Sequence, residues 1–288
     1  MATYEQRHER NAPGAVFVDT TCIDCGTCSR FAPSVFEHDV ASPNAYVSDQ
    51  PDTDERWLQA MRAMVSCPVG AIGTCTPADV SPALATLPLE IAPGIYDCGF
   101  ASRSTFGASA WLVVRPEGNV LVDSPRACEH LLDRLDSLGG VRTMFLTHRD
   151  DVGDHEAFRE RYGCERVMHV TDATFAAEHL IEGDEPVALA DDLLVVPVPG
   201  HTRGSLALLY DNRVLFTGDH LWADARGRLA ASRCLCWFDW SAQCRSMRRL
   251  RELDFSSVLP GHGYPLHAPS PEAMRDALDV LIARMRCC

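Results

Sequence analysis

The chain has 288 residues, of which 46% are hydrophobic, which is enough for two domains that each bury a core. Its formal net charge of −14 argues against nucleic acid as a partner, and no apolar run approaches the roughly 18 residues of a membrane helix. The N-terminal segment is polar and lacks the apolar run of a signal peptide, so we expect a soluble cytoplasmic protein with no membrane partner.

Four of the thirteen cysteines have the spacing of an iron–sulfur site. Cys22, Cys25 and Cys28 form a C-x2-C-x2-C run, and Cys67 is followed by a proline that matches the end of the bacterial ferredoxin pattern. Three closely spaced thiolates can hold one face of a cubane cluster, and a fourth from a distant loop closes it. The pattern therefore predicts a [4Fe–4S] cluster, with a zinc site or a [3Fe–4S] form as alternatives.

Residues 12–79 resemble a single-cluster bacterial ferredoxin, and the resemblance implies a small iron–sulfur domain. Its cluster would either transfer electrons or serve only to hold the domain together. Residues 76–88 contain three prolines and several small residues, which make a poor helix or strand. We therefore expect a linker at 80–88, followed by a second domain at 89–288.

From residue 89 onward, apolar runs and amphipathic segments alternate along the chain. The apolar runs, bounded by turn residues such as the PEGN of 116–119, predict strands. The amphipathic segments predict helices over 127–138, 156–162, 172–180, 240–253 and 271–286. This order predicts a layered α/β domain with β-sheets inside and helices outside.

Histidines and aspartates follow several of these strands, where a rigid sheet can aim side chains at one point. The segments LVD, THRDDVGDH, PGHT, TGD and PGHG contain Asp123, His148, Asp150, Asp151, Asp154, His155, His201, Asp219 and His262. Imidazole and carboxylate groups are ligands that suit zinc, iron and manganese. The pattern predicts a metal centre built from loops at strand ends.

The order of these segments is similar to that of the metallo-β-lactamase superfamily, and the whole chain resembles its ferredoxin-fused members. The resemblance implies an αββα sandwich with two divalent metal ions, iron or zinc, between its sheets, so that the chain is of the α+β class. It implies metal binding by His148, Asp150, Asp154, His155, His201, Asp219 and His262. Asp219 would bridge the ions, Asp123 would orient ligands without binding metal, and Asp154 and Asp219 would be the catalytic residues.

The chain departs from the H-x-H-x-D-H pattern of that superfamily. Asp150 stands where the family has a second histidine, and two extra residues precede Asp154. Asp151 is the competing candidate for the same ligand. Arg203 either clamps an anionic substrate or simply lies on the surface. The aromatic segment 234–240 lines a substrate pocket, packs against the ferredoxin domain or begins the next helix.

Three functions are compatible with these residues. A carboxylate in place of a histidine suits iron or manganese better than an all-imidazole set, and the flavodiiron proteins of the same superfamily carry such a carboxylate. We therefore predict first a di-iron oxidoreductase with a small-molecule substrate, fed by the fused ferredoxin and by a reductase or other electron donor. The alternatives are a dinuclear zinc hydrolase of esters, thioesters, amides or phosphoesters with an auxiliary cluster, and a non-enzymatic iron–sulfur sensor or electron carrier.

Overall fold

The computed structural model describes residues 2–38 and 44–285. The chain divides into two compact units. Unit 1 comprises Met1–Glu117 and Ser124–Gly140, and unit 2 comprises Gly118–Asp123 and Val141–Cys288. None of the helices in the described ranges is long and apolar enough to cross a membrane. The cysteine motif lies in unit 1, and the histidine–aspartate segments lie in unit 2.

Unit 1 is built from short strands and helices. Its strands are β1 (Val16–Val18), β2 (Phe36–His38), β3 (Ala45–Val47), β4 (Ile72–Thr74), β5 (Leu89–Ala92), β6 (Ile95–Asp97) and β7 (Trp111–Val113). Its α-helices are α1 (Thr27–Phe31), α2 (Asp54–Ser66), α3 (Ser81–Ala85) and α4 (Glu129–Ser137), after a short 3₁₀ turn at Tyr4–Gln6. Strand β1 pairs with β4 and β2 with β3, and β5, β6 and β7 form an antiparallel run.

Helix α2 determines where the fourth cysteine of the motif lies. Thr53 caps its N-terminus, because the Thr53 hydroxyl accepts a hydrogen bond from the Arg56 amide. The helix ends at Ser66, since Pro68 disfavours the helical conformation for the residue before it. Cys67 consequently adopts an extended conformation, with φ −61° and ψ 122°.

Helix α3 lies in the segment for which the sequence predicts neither helix nor strand. The expectation that residues 76–88 make a poor helix or strand is wrong for Ser81–Ala85, whereas the linker at 80–88 stays a prediction. Pro82 is in the first turn of this helix, where its missing N–H costs nothing and its fixed φ favours the helical conformation. The boundary between the two predicted domains stays a prediction.

Unit 2 contains two main sheets and three α-helices among its described residues. The strands are β8 (Val120–Val122), β9 (Thr143–Phe145), β10 (Glu165–His169), β11 (His179–Ile181), β12 (Val187–Ala190), β13 (Leu193–Pro197), β14 (Leu206–Tyr210), β15 (Val214–Gly218), β16 (Trp222–Ala223), β17 (Leu229–Ala230), β18 (Ser257–Pro260) and β19 (Leu266–His267). The helices are α5 (His155–Tyr162), α6 (Trp240–Arg251) and α7 (Pro271–Met285).

Parallel strand pairs bring the histidine–aspartate segments to common edges. Strands β8, β9, β10 and β11 pair in parallel, with Val122 opposite Phe145, so the residues after β8 and β9 leave the same edge. The second sheet has the order β12-β13-β14-β15-β18-β19 and is antiparallel except for β15 and β18. Because Gly218 is opposite Pro260, the loops after β15 and β18 also leave one edge.

Helices α6 and α7 cover the second sheet with their apolar faces. Met247 and Leu250 of α6 and Leu278 of α7 are fully buried in one cluster with Val196 and Val258 of the sheet. Burial of each such side chain contributes about 1.5–3 kcal/mol. This packing fixes the loops at the sheet edge, from which the site residues extend.

The helix predicted at 172–180 does not form. His179–Ile181 is instead strand β11, which pairs in parallel with β10. The buried Arg166 donates hydrogen bonds to the Ala176 carbonyl and the Glu178 carboxylate, which holds this stretch of chain beside β10. The tertiary pairing therefore overrides the local helix propensity.

Candidate functional site

The four motif cysteines of unit 1 line one small pocket. Backbone amides point at two of their sulfurs: the Asp24 and Ala45 amides at Cys22 Sγ, both at 3.4 Å, and the Ala71 amide at Cys67 Sγ, at 3.3 Å. Amide hydrogen bonds of this kind favour sulfurs that carry negative charge, as cluster thiolates do. The residues present therefore fit a [4Fe–4S] cluster.

Two glycines with positive φ shape this pocket. Gly26, at φ +82°, precedes α1 and lets the chain turn between Cys25 and Cys28. Gly107, at φ +85°, lies directly against Cys25, because a Cβ atom there would be 2.5 Å from the Cys25 Cβ. Thr27 Oγ1 donates to the Gly107 carbonyl at 3.2 Å, which holds the two segments together.

In unit 2, four side-chain atoms from three loops surround one point. His148 follows β9, His201 follows β13 and Asp219 follows β15. His148 Nε2 is 3.8 Å from Asp150 Oδ2 and 3.9 Å from Asp219 Oδ2. His201 Nε2 is 3.9 Å from each of the same two oxygens. We refer to His148, Asp150, His201 and Asp219 as the four-ligand centre.

The donor atoms of the four-ligand centre fit a divalent metal ion. His148 Nε2, Asp150 Oδ2 and His201 Nε2 are buried and have no hydrogen-bond partner within the described part of the chain. Unpaired buried polar atoms are costly, and a metal ion at their common point would satisfy all three. Two imidazoles and two carboxylates are a ligand set that suits iron, manganese or zinc.

The outer nitrogens of both imidazoles are held by neighbouring groups. His148 Nδ1 is 3.0 Å from the Thr147 hydroxyl, which donates to Asp123 at 2.9 Å. His201 Nδ1 is 2.6 Å from the Leu235 carbonyl. Each contact places the imidazole hydrogen on Nδ1 and leaves a lone pair on Nε2, which faces the centre. Asp123 thus has the location expected of a residue that orients a ligand.

Burial and local charge keep this ligand set ready to bind a cation. Burial lowers the pKa of His148 to about 4, so its imidazole is neutral near pH 7. Burial acts against ionisation of Asp219, but His262, His148 and His201 outweigh it and hold the pKa of that carboxyl well below its usual range. Burial raises the pKa of Asp123 to about 7.

Gly218 allows β15 to approach the first histidine segment. Its φ is +49°, and a Cβ atom there would lie 2.3 Å from the Thr147 hydroxyl and 3.3 Å from His148 Nδ1. A side chain at this position would push Asp219 away from His148. The glycine of the TGD segment is therefore a requirement of close approach.

The structure brings four of the predicted ligands to one point and places a fifth, His262, beside Asp219. Among the described residues, the close groupings of potential ligands contain neither Asp154 nor His155 nor His262. His262 Nδ1 is 2.8 Å from Asp219 Oδ1. His155 Nδ1 instead accepts a hydrogen bond from Arg166 at 2.9 Å, and its ring stacks on Phe175. Metal binding by these three residues, and a catalytic role for Asp154, stay predictions.

Arg203 is half-exposed and paired with an acidic side chain. Its Nη1 lies 2.7 Å from Asp184 Oδ1, which raises the pKa of the arginine further. The guanidinium carbon also lies 5.7 Å from the Phe238 ring centroid. Substrate binding by Arg203 therefore stays a prediction, now with known neighbours.

Sequence reasoning missed His220. This residue follows Asp219 directly, its side chain is buried, and neither of its ring nitrogens has a partner in the described residues. Burial, together with the nearby His201, lowers the pKa of His220 to about 3. The signal was present in the sequence, because the TGD segment continues as TGDH.

Residues 94–280 match the family model described as Metallo-beta-lactamase superfamily, which covers more than half of the chain. The chain belongs to the metallo-β-lactamase superfamily. Residues 18–74 match the model described as 4Fe-4S single cluster domain of Ferredoxin I. The predicted α+β class, with a ferredoxin-like domain followed by a metallo-β-lactamase sandwich, is confirmed. The superfamily fold typically binds two divalent metal ions, and the number and identity of the ions in this member stay predictions.

Similar superfamily members with curated functions include hydroxyacylglutathione hydrolases. The chain is 30% identical over 158 residues to that of Rhodospirillum rubrum, which is 52% of this chain and 59% of the relative. It is 29% identical over 162 residues to that of Xanthomonas axonopodis pv. citri, which is 54% of this chain and 61% of the relative. The chain therefore spans about three-fifths of the length of these relatives.

Solved structures of superfamily members share the fold. A metallo-β-lactamase from Erythrobacter litoralis has a TM-score of 0.52 at 20% identity, covering 67% of this chain and 95% of that one. The metallo-β-lactamase FIM-1 from Pseudomonas aeruginosa, in its mono-zinc form, has a TM-score of 0.51 at 16% identity, covering 68% and 92%. At these identities the likeness concerns the fold alone.

Proposed function

We propose that this superfamily member is a metal-dependent hydrolase of thioesters. The observation that carries the proposal is the four-ligand centre, where two imidazole nitrogens and two carboxylate oxygens face one point at separations of 3.8–3.9 Å. A divalent ion held there would polarise a carbonyl group and lower the pKa of a bound water. The similarity to hydroxyacylglutathione hydrolases supports a thioester as the substrate class.

The residues of the centre prepare it for an electrophilic carbonyl group. His148 and His201 present Nε2 atoms whose orientation is fixed by Thr147 and the Leu235 carbonyl. Asp219 contributes a permanent negative charge, held in place by His262. The side chain of Asp150 is 40% exposed whereas that of His148 is 1% exposed, so a substrate reaches the centre from the Asp150 side.

The proposal is tested with the full chain, purified without air. Release of free thiol from a hydroxyacylglutathione is measured after metal removal by a chelator and after return of zinc, iron or manganese separately. We expect thiol release to depend on metal and to fall by about 100-fold or more in Asp150→Ala, as expected for loss of a metal ligand. Glu165→Gln, an exposed carboxylate of β10, is the matched control. Absence of thiol release with all three metals would reject the hydrolase.

An iron-dependent oxidoreductase is the second candidate. Two specific observations favour it: the centre has as many carboxylates as imidazoles, which suits iron, and a ferredoxin domain is part of the same chain. Such an enzyme would need a reductase or other electron donor as a partner. Metal analysis separates the candidates, because about four irons per chain with zinc favours the hydrolase, whereas iron in excess of the cluster's four favours the oxidoreductase.

A further inference from the structure

The loop 231–239 carries three large apolar side chains in solvent beside the four-ligand centre. Leu235, Trp237 and Phe238 are 50%, 57% and 48% exposed. The Trp237 ring centroid lies 4.7 Å from that of the ligand His201. Clustered exposed apolar side chains next to a reactive centre are typical of a ligand-binding surface.

This loop is held firmly in place. Its backbone amides donate hydrogen bonds to the carbonyls of Gly200 and His201. The Trp237 amide donates to the His201 carbonyl at 3.0 Å, and the Phe238 amide lies 3.2 Å from both carbonyls. Asp239 then caps α6 by accepting from the Ala242 amide. The apolar side chains are therefore displayed in solvent by a fixed backbone, which lowers the entropy lost when a ligand covers them.

An arginine-lined groove continues from the same loop. Within the described residues, Phe238 shares the groove lining with Arg203, Arg245, Arg249 and a single carboxylate, Asp184. Asp184 pairs with Arg203, whereas the nearest carboxylate to Arg245 is Asp239, at 4.0 Å. Arg249 Nη2 lies 3.9 Å from Glu185 Oε1, so carboxylates outside the lining are near both Arg245 and Arg249. The lining residues themselves carry three guanidinium groups and one carboxylate, in a chain whose net charge is −14. Guanidinium groups in such a groove favour carboxylates or phosphates.

We propose that these two surfaces form one binding site for an acyl thioester with an apolar acyl group and an anionic thiol carrier. The proposal rests on the hydrolase function proposed above. The acyl group lies on Leu235, Trp237 and Phe238, and the anionic groups of the carrier lie in the groove of Arg203, Arg245 and Arg249. The scissile carbonyl then lies beside His201, against which the Trp237 ring packs.

Binding of a stable thioether tests the site without any turnover. Titration calorimetry on the full, metal-loaded chain compares S-hexylglutathione with glutathione, which carries the same anionic groups and no apolar arm. We expect S-hexylglutathione to bind about tenfold more tightly, since its hexyl chain covers the apolar loop. Equal affinity of the two probes would overturn the proposal.

Variants separate the apolar surface from the charged one. Trp237→Ala should remove most of the tenfold advantage of the hexyl chain and leave glutathione binding unchanged. Phe238→Ala, which also alters the lining of the groove, should weaken the binding of both probes. Leu180→Ala, an equally exposed apolar residue on β11, is the control. Unchanged affinity for S-hexylglutathione in both aromatic variants would contradict the assigned acyl surface.

Arg245→Ala should weaken both probes by the same factor, about three- to tenfold, and reduce the salt dependence of binding. Arg248→Ala, an exposed arginine of the same helix outside the groove, should change neither. An equal loss in the two arginine variants would reject the groove.

Coenzyme A in place of glutathione shows whether the groove prefers phosphates or carboxylates, and failure of both thiols to bind also rejects the groove. Thiol release from a hydroxyacylglutathione, measured in parallel, distinguishes failure of the hydrolase from failure of the site.

Discussion

Asp150 and Asp151 are sequence neighbours whose carboxylates face opposite ends of one imidazole. Asp150 Oδ2 lies 3.8 Å from His148 Nε2, the nitrogen that faces the four-ligand centre. Asp151 Oδ2 lies 3.9 Å from His148 Nδ1, on the outer side. Burial, with Asp219 and Asp123 nearby, raises the pKa of Asp151 well above its ordinary value. Asp151 Oδ2 is also buried without a hydrogen-bond partner in the described part of the chain, and Asp151 groups with His148 and Asp219 as a second set of potential ligands. We predict that Asp150 is the stronger ligand, because its carboxylate faces both imidazoles of the four-ligand centre.

Metal analysis of two isosteric variants tests this assignment. Asp150→Asn should lower metal affinity by about 100-fold or more, because it removes an anionic ligand, whereas Asp151→Asn should lower it by about tenfold or less. Bound metal is measured by elemental analysis after dialysis against a graded chelator. The reverse order of the two variants would assign the ligand to Asp151.

His155 gives a second test at the scale of one residue. Because its Nδ1 accepts a hydrogen bond from Arg166, the ring hydrogen lies on Nε2, and that nitrogen has no lone pair for a metal ion. We therefore expect His155→Ala to keep the same number of metal ions per chain as the unmodified protein. Loss of one metal ion per chain in His155→Ala, and the same loss in His262→Ala, would contradict this expectation. That result would support the dinuclear site that the sequence predicts.

Residue types and their spacing made part of the site predictable. The four-ligand centre brings together four of the seven ligands that the resemblance implies, His148, Asp150, His201 and Asp219. His220 was missed because the prediction stopped at Asp219, although the sequence continues as TGDH. The Leu235 carbonyl could not be predicted, since a backbone atom 34 residues away has no sequence signature.

At the scale of secondary-structure elements, Arg166 on β10 joins three segments. Its guanidinium donates to Glu178 just before β11, to Glu156 on α5 and to the Ala176 carbonyl. This contact explains why 172–180 was wrongly predicted as a helix: the segment looks amphipathic locally, but its ionic partner lies on another strand. Elements stabilised by their own periodicity, such as α6 and α7, were predicted to within a few residues.

The Arg166–Glu178 pair should make unfolding depend on pH. Arg166 holds the pKa of Glu178 well below its ordinary value of 4.5. A carboxyl whose pKa is lower in the folded chain than in the unfolded chain stabilises the fold at any pH above the unfolded pKa. This stabilisation is lost as the pH falls from the unfolded pKa through the folded pKa. Glu178→Gln should therefore lower the free energy of unfolding by about 2 kcal/mol at pH 7, and this difference should shrink as the pH falls below about 4.5.

Urea unfolding of both proteins from pH 7 to pH 4 measures the difference. Glu165→Gln removes an exposed carboxylate that pairs with His179 on the same two strands, so it should cost less than about 0.5 kcal/mol. A Glu178→Gln difference that stays constant with pH would show that the pair acts through packing and not through charge.

At the scale of the whole molecule, each compact unit carries its own cofactor residues. Cys22, Cys25, Cys28 and Cys67 all belong to unit 1, and all members of the four-ligand centre belong to unit 2. Cysteine and histidine patterns are local or ordered along the chain, so the sequence could predict both sites and the fold of each module. It could not decide between hydrolysis and electron transfer, because the same ligand types serve both chemistries.

Removal of the cluster distinguishes these two chemistries in the intact chain. Cys67→Ala deletes the ligand that follows α2, so the visible absorption of the cluster should be lost. If the protein is a hydrolase with an auxiliary cluster, thiol release per bound metal in unit 2 should stay within about threefold of the unmodified protein, because the four-ligand centre supplies the chemistry. Circular dichroism checks that the variant remains folded, and Cys75→Ala, an exposed cysteine outside the motif, is the control. Complete loss of turnover in a folded Cys67→Ala chain that retains its unit 2 metal would show that the reaction needs electrons from the ferredoxin domain and would favour the oxidoreductase.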